Sequence, residues 1–515
     1  MKRRDFIRFG SAGLTAAAVL GAARSRQLQA YAHPVPDPRT DGDRVVPSFC
    51  ELCFWKCGIL AHVKDGRVTK IQGNPNDPLS GGRLCPRGAG GTGLLYDPDR
   101  LQRPMIRRGA RGSQRFEEVS WDAALNRVAE GMQAITARHG AEALALYSHG
   151  YGGSWFEHLF KAYGSPNITH PSYAQCRGPR DAGFELTFGE GAGSPEITDM
   201  AHARCLVLIG SHLGENMHNT QVQDFASSIR GGGDLIVVDP RFSTAAGKAR
   251  HWLPIKPGAD LALLLAWMHV LITEGLYDQQ YVAERTSGFE RYRAYLLGEQ
   301  DGIAKTPEWQ AAETGVAPRE VRALAREWGT KKTYLSCGAK GLTFGGANRS
   351  ATGVQWARAM VCLMSMQGLG KPGVNFGSLG TGAPLDLEFW FPGYAEGGIS
   401  GDIETTADAV QNYQRLPHLI SMNSVTQKIP RLRIPEAILE GRTEGYPTDG
   451  RSIEGQFQRY SYPAPGHARV RMLYKYGGSH FGTTMQSGRL VDALRSPQLE
   501  FVLNQSIWNE GEAQF

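Results

Sequence analysis

The sequence predicts an α/β protein built mostly on parallel sheets, with a small cysteine-bearing unit ahead of them. Two observations point there. The first is a set of short apolar runs separated by helical stretches, among them Arg204-Cys-Leu-Val-Leu-Ile-Gly210 and Asp234-Leu-Ile-Val-Val-Asp239. Runs that are apolar at consecutive positions belong to strands covered on both faces, and strand–helix–strand order makes a crossover between parallel neighbours. The second is glycine, 64 of 515 residues, much of it where strand passes to helix and backbone can approach a ligand closely.

The elements follow in order. Trp121 to Arg138 reads as an amphipathic helix, with Ala124, Leu125, Val128, Met132 and Ile135 near the helical period. Glu142 to Ser148 reads as a strand, and so does the run from Arg204 to Gly210. A helix over Val222 to Ile229 leads to the strand Asp234 to Asp239, and a long apolar helix starts at Asp260. Thr333–Ser336 followed by a helix over Arg349–Met366 supplies a further unit, and Leu499–Leu503 reads as a last strand. From about Gly377 to Pro465 the pattern breaks into Gly-, Pro- and aromatic-rich loop with short helices at best; irregularity of that length inside an enzyme is usually functional. No internal repeat stands out.

Four early cysteines carry the strongest chemistry. Cys50, Cys53, Cys57 and Cys85 are spaced C-x2-C-x3-C-x27-C. Four soft thiolates suit zinc or an iron–sulfur cluster. A structural zinc site usually comes as two short knuckles. Here one knuckle exists, the third cysteine shares its loop and the fourth stands alone. The spacing favours a 4Fe–4S cluster over zinc or a disulfide framework.

The N-terminus reads as an address. Arg3-Arg4 precede Phe6-Ile7 and a weakly apolar run from Ser11 to Ala23, and Ala30-Tyr31-Ala32 offers a cleavage site. Twin arginines mark the bacterial route that exports folded proteins, so residues 1–32 are expected to be a twin-arginine signal peptide and the protein periplasmic, or on the extracytoplasmic face of the membrane. An ordinary secretory signal or an uncleaved anchor is the alternative. Of the 56 basic and 50 acidic residues, six basic and one acidic lie in that segment, so the remainder is nearly neutral. No basic stripe suggests a nucleic-acid partner. The most apolar later run, Leu261 to Ile272, is too short to cross a bilayer, so membrane attachment would need another subunit.

Three loops sit where an α/β sheet binds ligands, after strand ends. Gly210-Ser-His-Leu-Gly214-Glu-Asn216 departs from the dinucleotide fingerprint of NAD proteins. In Val238-Asp239-Pro240-Arg241 the acid can take a ribose or a guanine edge, and Arg241 can face phosphate. Lys256-Pro-Gly258-Ala-Asp260 delivers a carboxylate to a helix start, where Asp260 could equally serve as a plain helix cap.

In this order, behind that cysteine motif, the loops resemble the molybdenum/tungsten bis-pterin oxidoreductases of the dimethyl sulfoxide reductase type, from about Val46 to the end. The resemblance implies a 4Fe–4S domain (43–105), α/β domains that wrap two molybdopterin guanine dinucleotides (106–376), an irregular substrate-access region (377–465) and a return to the α/β domain (466–515). It implies Cys50, Cys53, Cys57 and Cys85 as cluster ligands, Arg87 as the basic residue between cluster and pterin, and Gly210, Asn216, Asp239, Arg241 and Asp260 as cofactor contacts. It also implies a protein ligand to the metal. Cys176, in the polar loop Ser172-Tyr-Ala-Gln-Cys176-Arg-Gly-Pro-Arg180, stands where the family places one, and Arg177 and Arg180 would favour its thiolate.

The phrase Cys50-Glu-Leu-Cys-Phe-Trp-Lys-Cys57-Gly, with Cys176 and the export signal, is most similar to the catalytic subunits of polysulfide and thiosulfate reductases. That implies reductive cleavage of a sulfur–sulfur bond at Mo or W, with electrons delivered through the cluster. Tyr173, Arg177, His149 and His480 are candidates to supply protons or bind an anionic substrate, and Gly393–Gly401 to shape access. Implied partners are a ferredoxin-like multi-cluster iron–sulfur subunit and a quinone-reactive membrane anchor. Tetrathionate or arsenate reduction, pyrogallol-type hydroxyl transfer, or a non-catalytic electron-transfer role are the alternatives. Family members normally continue into a C-terminal domain that closes over the second pterin, so the end at Phe515 is expected to fall short of it.

Overall fold

The computed structural model describes residues 43–50, 52, 57–77, 80–148, 153–169, 178–188, 200, 202–210, 221–336, 350–377, 423, 425, 427, 429–446, 457–477, 479–482, 484–509 and 511–515. They fall into two units, one up to Asp97 and one from Pro98 on.

The first unit is an antiparallel sheet, β1 (Arg44–Phe49), β2 (Gly58–Lys64) and β3 (Arg67–Gly73), in that spatial order. Between β2 and β3 the chain turns on Asp65-Gly66, both at positive φ. That is the two-residue turn whose twist matches a hairpin. Short helices Pro86–Ala89 and Gly91–Leu95 follow.

The second unit opens with a small hairpin, β4 (Met105–Arg107) and β5 (Phe116–Glu118), and the helix Trp121–His139. Ser120 Oγ accepts the Ala123 amide and starts that helix. The remaining strands are β6 (Leu144–Ser148), β7 (Asn167–Thr169), β8 (Cys205–Ile209), β9 (Asp234–Val238), β10 (His251–Leu253), β11 (Thr333–Ser336), β12 (Asn375–Gly377), β13 (Thr443–Gly445), β14 (Tyr460–Tyr462), β15 (Met472–Tyr476) and β16 (Phe501–Gln505). Among the described residues they form two parallel sheets, ordered β10-β9-β8-β11-β12 and β16-β15-β6-β7, and an antiparallel pair, β13-β14. This pair and the helix Ile434–Leu439 lie in the stretch expected to hold only loop and short helices.

Burial explains the strand sequences. Every residue of β6 and β8 is buried, as a parallel sheet covered on both faces requires. The helix Asp260–Thr273 shows no polar face because it is buried nearly all round, with Leu263, Leu264, Trp267 and Met268 in the core. Trp267 meets Trp328 edge-on, ring centroids 5.1 Å apart. No helix among the described residues is long and apolar enough to cross a membrane.

Candidate cofactor sites

In the first unit, Phe49 and Gly58 are the last paired residues of β1 and β2, and the Cys50 amide donates to the Cys57 carbonyl at 2.9 Å. The cysteine loop is thus pinched at its base, with its first and last cysteines side by side. Asp77 fastens one flank: its Oδ2 accepts the Gly58 amide at 2.9 Å, the Ser80 amide at 3.1 Å and the Ser80 hydroxyl. Gly58 must be small, since a Cβ there would meet Asp77 Cβ at 2.7 Å. Cys85 directly precedes the helix Pro86–Ala89. A Cβ on Gly88 of that helix would lie 3.4 Å from Cys50 Sγ, so the Cys85 helix packs against Cys50. Cys57 is buried, Cys50 and Cys85 half-buried, and Arg87 exposed. Cys53 lies outside the described residues. Asp77 is a residue the cysteine spacing gives no hint of, because its task is to hold backbone and not to bind metal.

In the second unit both parallel sheets reverse their strand order once. In the larger, the chain runs from β8 outward to β9 and β10, then returns to β11 on the other side of β8. In the smaller, β7 lies on one side of β6 and β15 on the other. Crevices for ligands form outside the carboxyl ends of strands at such reversals. A glycine at positive φ follows immediately in both cases, Gly210 (φ 56°) after β8 and Gly477 (φ 61°) after β15. Glycine adopts that conformation without cost and bares its backbone to whatever lies in the crevice.

The carboxyl side of the larger sheet carries buried acids. Asp239, directly after β9, is buried; its Oδ1 accepts the Arg241 amide at 2.8 Å and its carbonyl accepts Trp252 Nε1 at 2.8 Å. Arg241 Nε is 4.0 Å from Asp239 Oδ1, on a half-exposed side chain. Asp260 is also buried, and it is the first residue inside its helix; Ala259 occupies the cap position, so the plain-cap reading does not hold. Burial, reinforced by the charge of Asp239, pushes the Asp260 carboxyl up to about 6. Among the described residues no basic side chain pairs with Asp260. Two buried acids near each other at the carboxyl side of one sheet suit a ligand that brings N–H or O–H donors.

Buried basic side chains gather beside Tyr147 in the smaller sheet. Buried Arg431 sits 4.3 Å from the centroid of the Tyr147 ring, and buried His480 packs on the same ring. Lys475, buried in β15 opposite Tyr147 of β6, lies 3.6 Å from Glu512 Oε2. His480 was a candidate from sequence; Arg431, Lys475 and Glu512 were not. A lysine inside the apolar run that ends at Gly477 was the available signal.

Cys176, Arg177, Tyr173, Asn216, His149 and the Gly393–Gly401 segment lie outside the described residues. Arg180 is buried in the helix Gly178–Phe188 that follows Cys176 in sequence. Cys205 is buried in β8 and its thiol pushed up to about 12, a packing role.

Comparison with known proteins agrees with this architecture. Residues 43–97 match the model of the molybdopterin oxidoreductase Fe4S4 domain, and residues 100–515 that of molybdopterin oxidoreductases. The chain is 34% identical over 89% of its length to the pyrogallol hydroxytransferase large subunit of Pelobacter acidigallici. It is 38% identical over 55% of its length to the thiosulfate reductase molybdopterin-containing subunit PhsA of Salmonella typhimurium, and 32% over 71% to dimethyl sulfoxide reductase DmsA of Escherichia coli. It spans 59%, 36% and 48% of those relatives. The acetylene hydratase of Pelobacter acetylenicus shares the fold, with a TM-score of 0.65 at 20% identity over 91% of this chain and 61% of that one. The chain belongs to the molybdopterin oxidoreductase family, and its cofactors are a molybdopterin and a 4Fe–4S cluster.

Proposed function

We propose that the chain is the catalytic subunit of an exported molybdenum or tungsten oxidoreductase that cleaves a sulfur–sulfur bond, in polysulfide or thiosulfate, by reduction. The observation that carries the two-dinucleotide reading is the pair of order reversals, each closed by a left-handed glycine, within one unit. The residues fit the group. Asp239 and Asp260 offer buried acceptors to the N–H edge of a guanine, and that contact would return Asp260 to its ionised form. Buried Arg431 and His480 offer cation and donor to phosphate at the carboxyl end of the smaller sheet. Cys50, Cys57 and Cys85, with Cys53, supply the soft thiolate set of a cubane cluster. When bound, the metal supplies two-electron chemistry and the cluster one-electron transfer.

The sulfur reading rests on Cys176 as the thiolate ligand and on the likeness to a thiosulfate reductase subunit. Thiosulfate reduction consumes two electrons and two protons and yields sulfite and hydrogen sulfide, so it needs a donor. We assign that role to an iron–sulfur subunit carried on a quinone-reactive membrane anchor. A second reading, hydroxyl transfer between phenols, is favoured by the length of the likeness to the pyrogallol hydroxytransferase subunit.

A reduced-viologen assay of the natural full-length protein over polysulfide, thiosulfate, tetrathionate and arsenate, beside a hydroxyl-transfer assay on pyrogallol, separates the two. Viologen oxidation by thiosulfate or polysulfide is expected; phenol turnover without viologen oxidation would overturn the sulfur reading. Cys53→Ala should lose the reduced-cluster EPR signal, and retention of about four iron atoms per chain would overturn the ligand set.

A further inference from the structure

At the carboxyl end of the four-stranded sheet a buried ion pair does something that packing alone does not require. Glu512 belongs to the short turn Gly511–Gln514 near the chain's last described residues, far in sequence from β15. Its side chain and that of Lys475 are each only 7% exposed. One carboxylate oxygen, Oε2, faces Lys475 Nζ at 3.6 Å. The other, Oε1, accepts the Phe481 amide and the Ser479 hydroxyl, the latter at 3.3 Å. Ser479 Oγ in turn accepts the Gly482 amide at 3.0 Å. Phe481 also packs on Phe515, ring centroids 5.2 Å apart, so the same terminal turn grips residues 479–482 by charge and by contact.

A buried ion pair seldom adds stability over apolar side chains of the same size; it holds one geometry in preference to others. The geometry held here is that of the loop leaving β15 at the order reversal, where a ligand phosphate would meet backbone and His480.

The geometry points to Glu512 as a positioning residue: anchored by Lys475, it fixes residues 479–482 in the shape that receives the phosphates of the second dinucleotide in the β6/β15 crevice. This rests on the two-dinucleotide reading above. Glu512 touches no reacting atom. It acts through the loop, and Lys475 acts through Glu512.

The test compares the natural full-length protein with Glu512→Ala, Glu512→Gln and the double variant Lys475→Met/Glu512→Leu. Acid-released guanine is counted per chain, and hydrogen exchange is followed at Phe481 and Gly482. Glu512→Ala should lose about half of the guanine and exchange both amides at least about tenfold faster, while cluster iron and the guanine held by Asp239 and Asp260 stay. Glu512→Gln, which keeps an acceptor oxygen, should retain more guanine than Glu512→Ala. The double variant removes both members of the pair at once, so Lys475 is not left buried opposite a missing carboxylate, and it should still lose half of the guanine. Full guanine in the double variant, or unchanged exchange in Glu512→Ala, would overturn the positioning role. One guanine in the parent protein would instead overturn the two-dinucleotide reading, which the parent measurement reports by itself.

Discussion

The two parallel sheets of the second unit share a plan and differ in charge. Both reverse strand order once and both release the chain through a left-handed glycine at the reversal. The larger sheet then carries buried Asp239 and Asp260; the smaller carries buried Arg431 and His480, with Lys475 paired to Glu512. Topology decides where a ligand can lie, and side-chain charge decides which end of the ligand each crevice grips. Acids suit the donor edge of a base, whereas cations suit phosphate.

The sharpest way to break this comparison is to remove the metal ligand and leave both crevices alone. If the crevices hold the cofactor by themselves, Cys176→Ala should keep guanine and iron contents while turnover falls by more than the ~100-fold that loss of an outer partner of a metal ligand typically costs. Loss of guanine in that variant would mean that the crevices do not act independently. Cys176→Ser should keep a trace of activity, with X-ray absorption showing one sulfur neighbour fewer at the metal, because oxygen is a harder ligand.

Asp260→Asn tests the buried acids of the larger sheet and should have opposite signs with and without cofactor. In the cofactor-free protein burial raises this carboxyl from 3.8 to about 6. The folded chain then binds its proton more tightly than the unfolded chain. The contribution is complete below about pH 4 and lost as pH rises through about 6. The cofactor-free variant should therefore match the parent at pH 4 and exceed it by about 1–3 kcal/mol at pH 7 in urea unfolding. With cofactor present the order should reverse, since an amide presents one oxygen where the carboxylate presents two, and less guanine should be recovered. Equal stability at pH 7 would show that the parent carboxylate is already compensated.

The smallest effect is expected at the opposite end of the larger sheet. There Glu327 pairs with Arg250 and with Lys331, and Lys331 also reaches Asp234 at the start of β9. Glu327→Gln should cost at most about 1 kcal/mol, as exposed ion pairs do, and leave guanine content unchanged. A change in cofactor content there would blur the distinction between the two ends.

In the larger sheet β8 and β9 were legible because each is a mainly apolar run and a single helix joins them in sequence. β8, β9, β11 and the Asp260–Thr273 helix fall within a residue or so of their expected limits. The three-residue strands β7, β10 and β12 carry too little pattern to be seen. Helices Pro307–Thr314 and Pro318–Thr330 have ordinary start signals, proline in the first turn and, for the former, a Thr306 side-chain cap, but no chemistry to draw attention to them. In the smaller sheet β16 sits about two residues beyond the expected Leu499–Leu503, within the usual uncertainty of strand ends. β15 and its pairing with β6 were not readable, because nothing local joins Leu144 to Met472. The same distance hid Lys475 and Glu512 as a pair. The cysteine loop was legible from spacing; Asp77 was not, because a carboxylate that binds only backbone amides leaves no mark in a motif.

The pairing of β6 with β15 also sets a timetable for the ribosome. About 330 residues separate the paired strands, which at ordinary synthesis speed is roughly 15–65 s of translation. Throughout that interval β6, buried along its whole length in the folded protein, has a bare edge on the side β15 will fill. A nascent chain in this condition is a natural client for a holding chaperone, and β6 is the segment such a chaperone would have to cover.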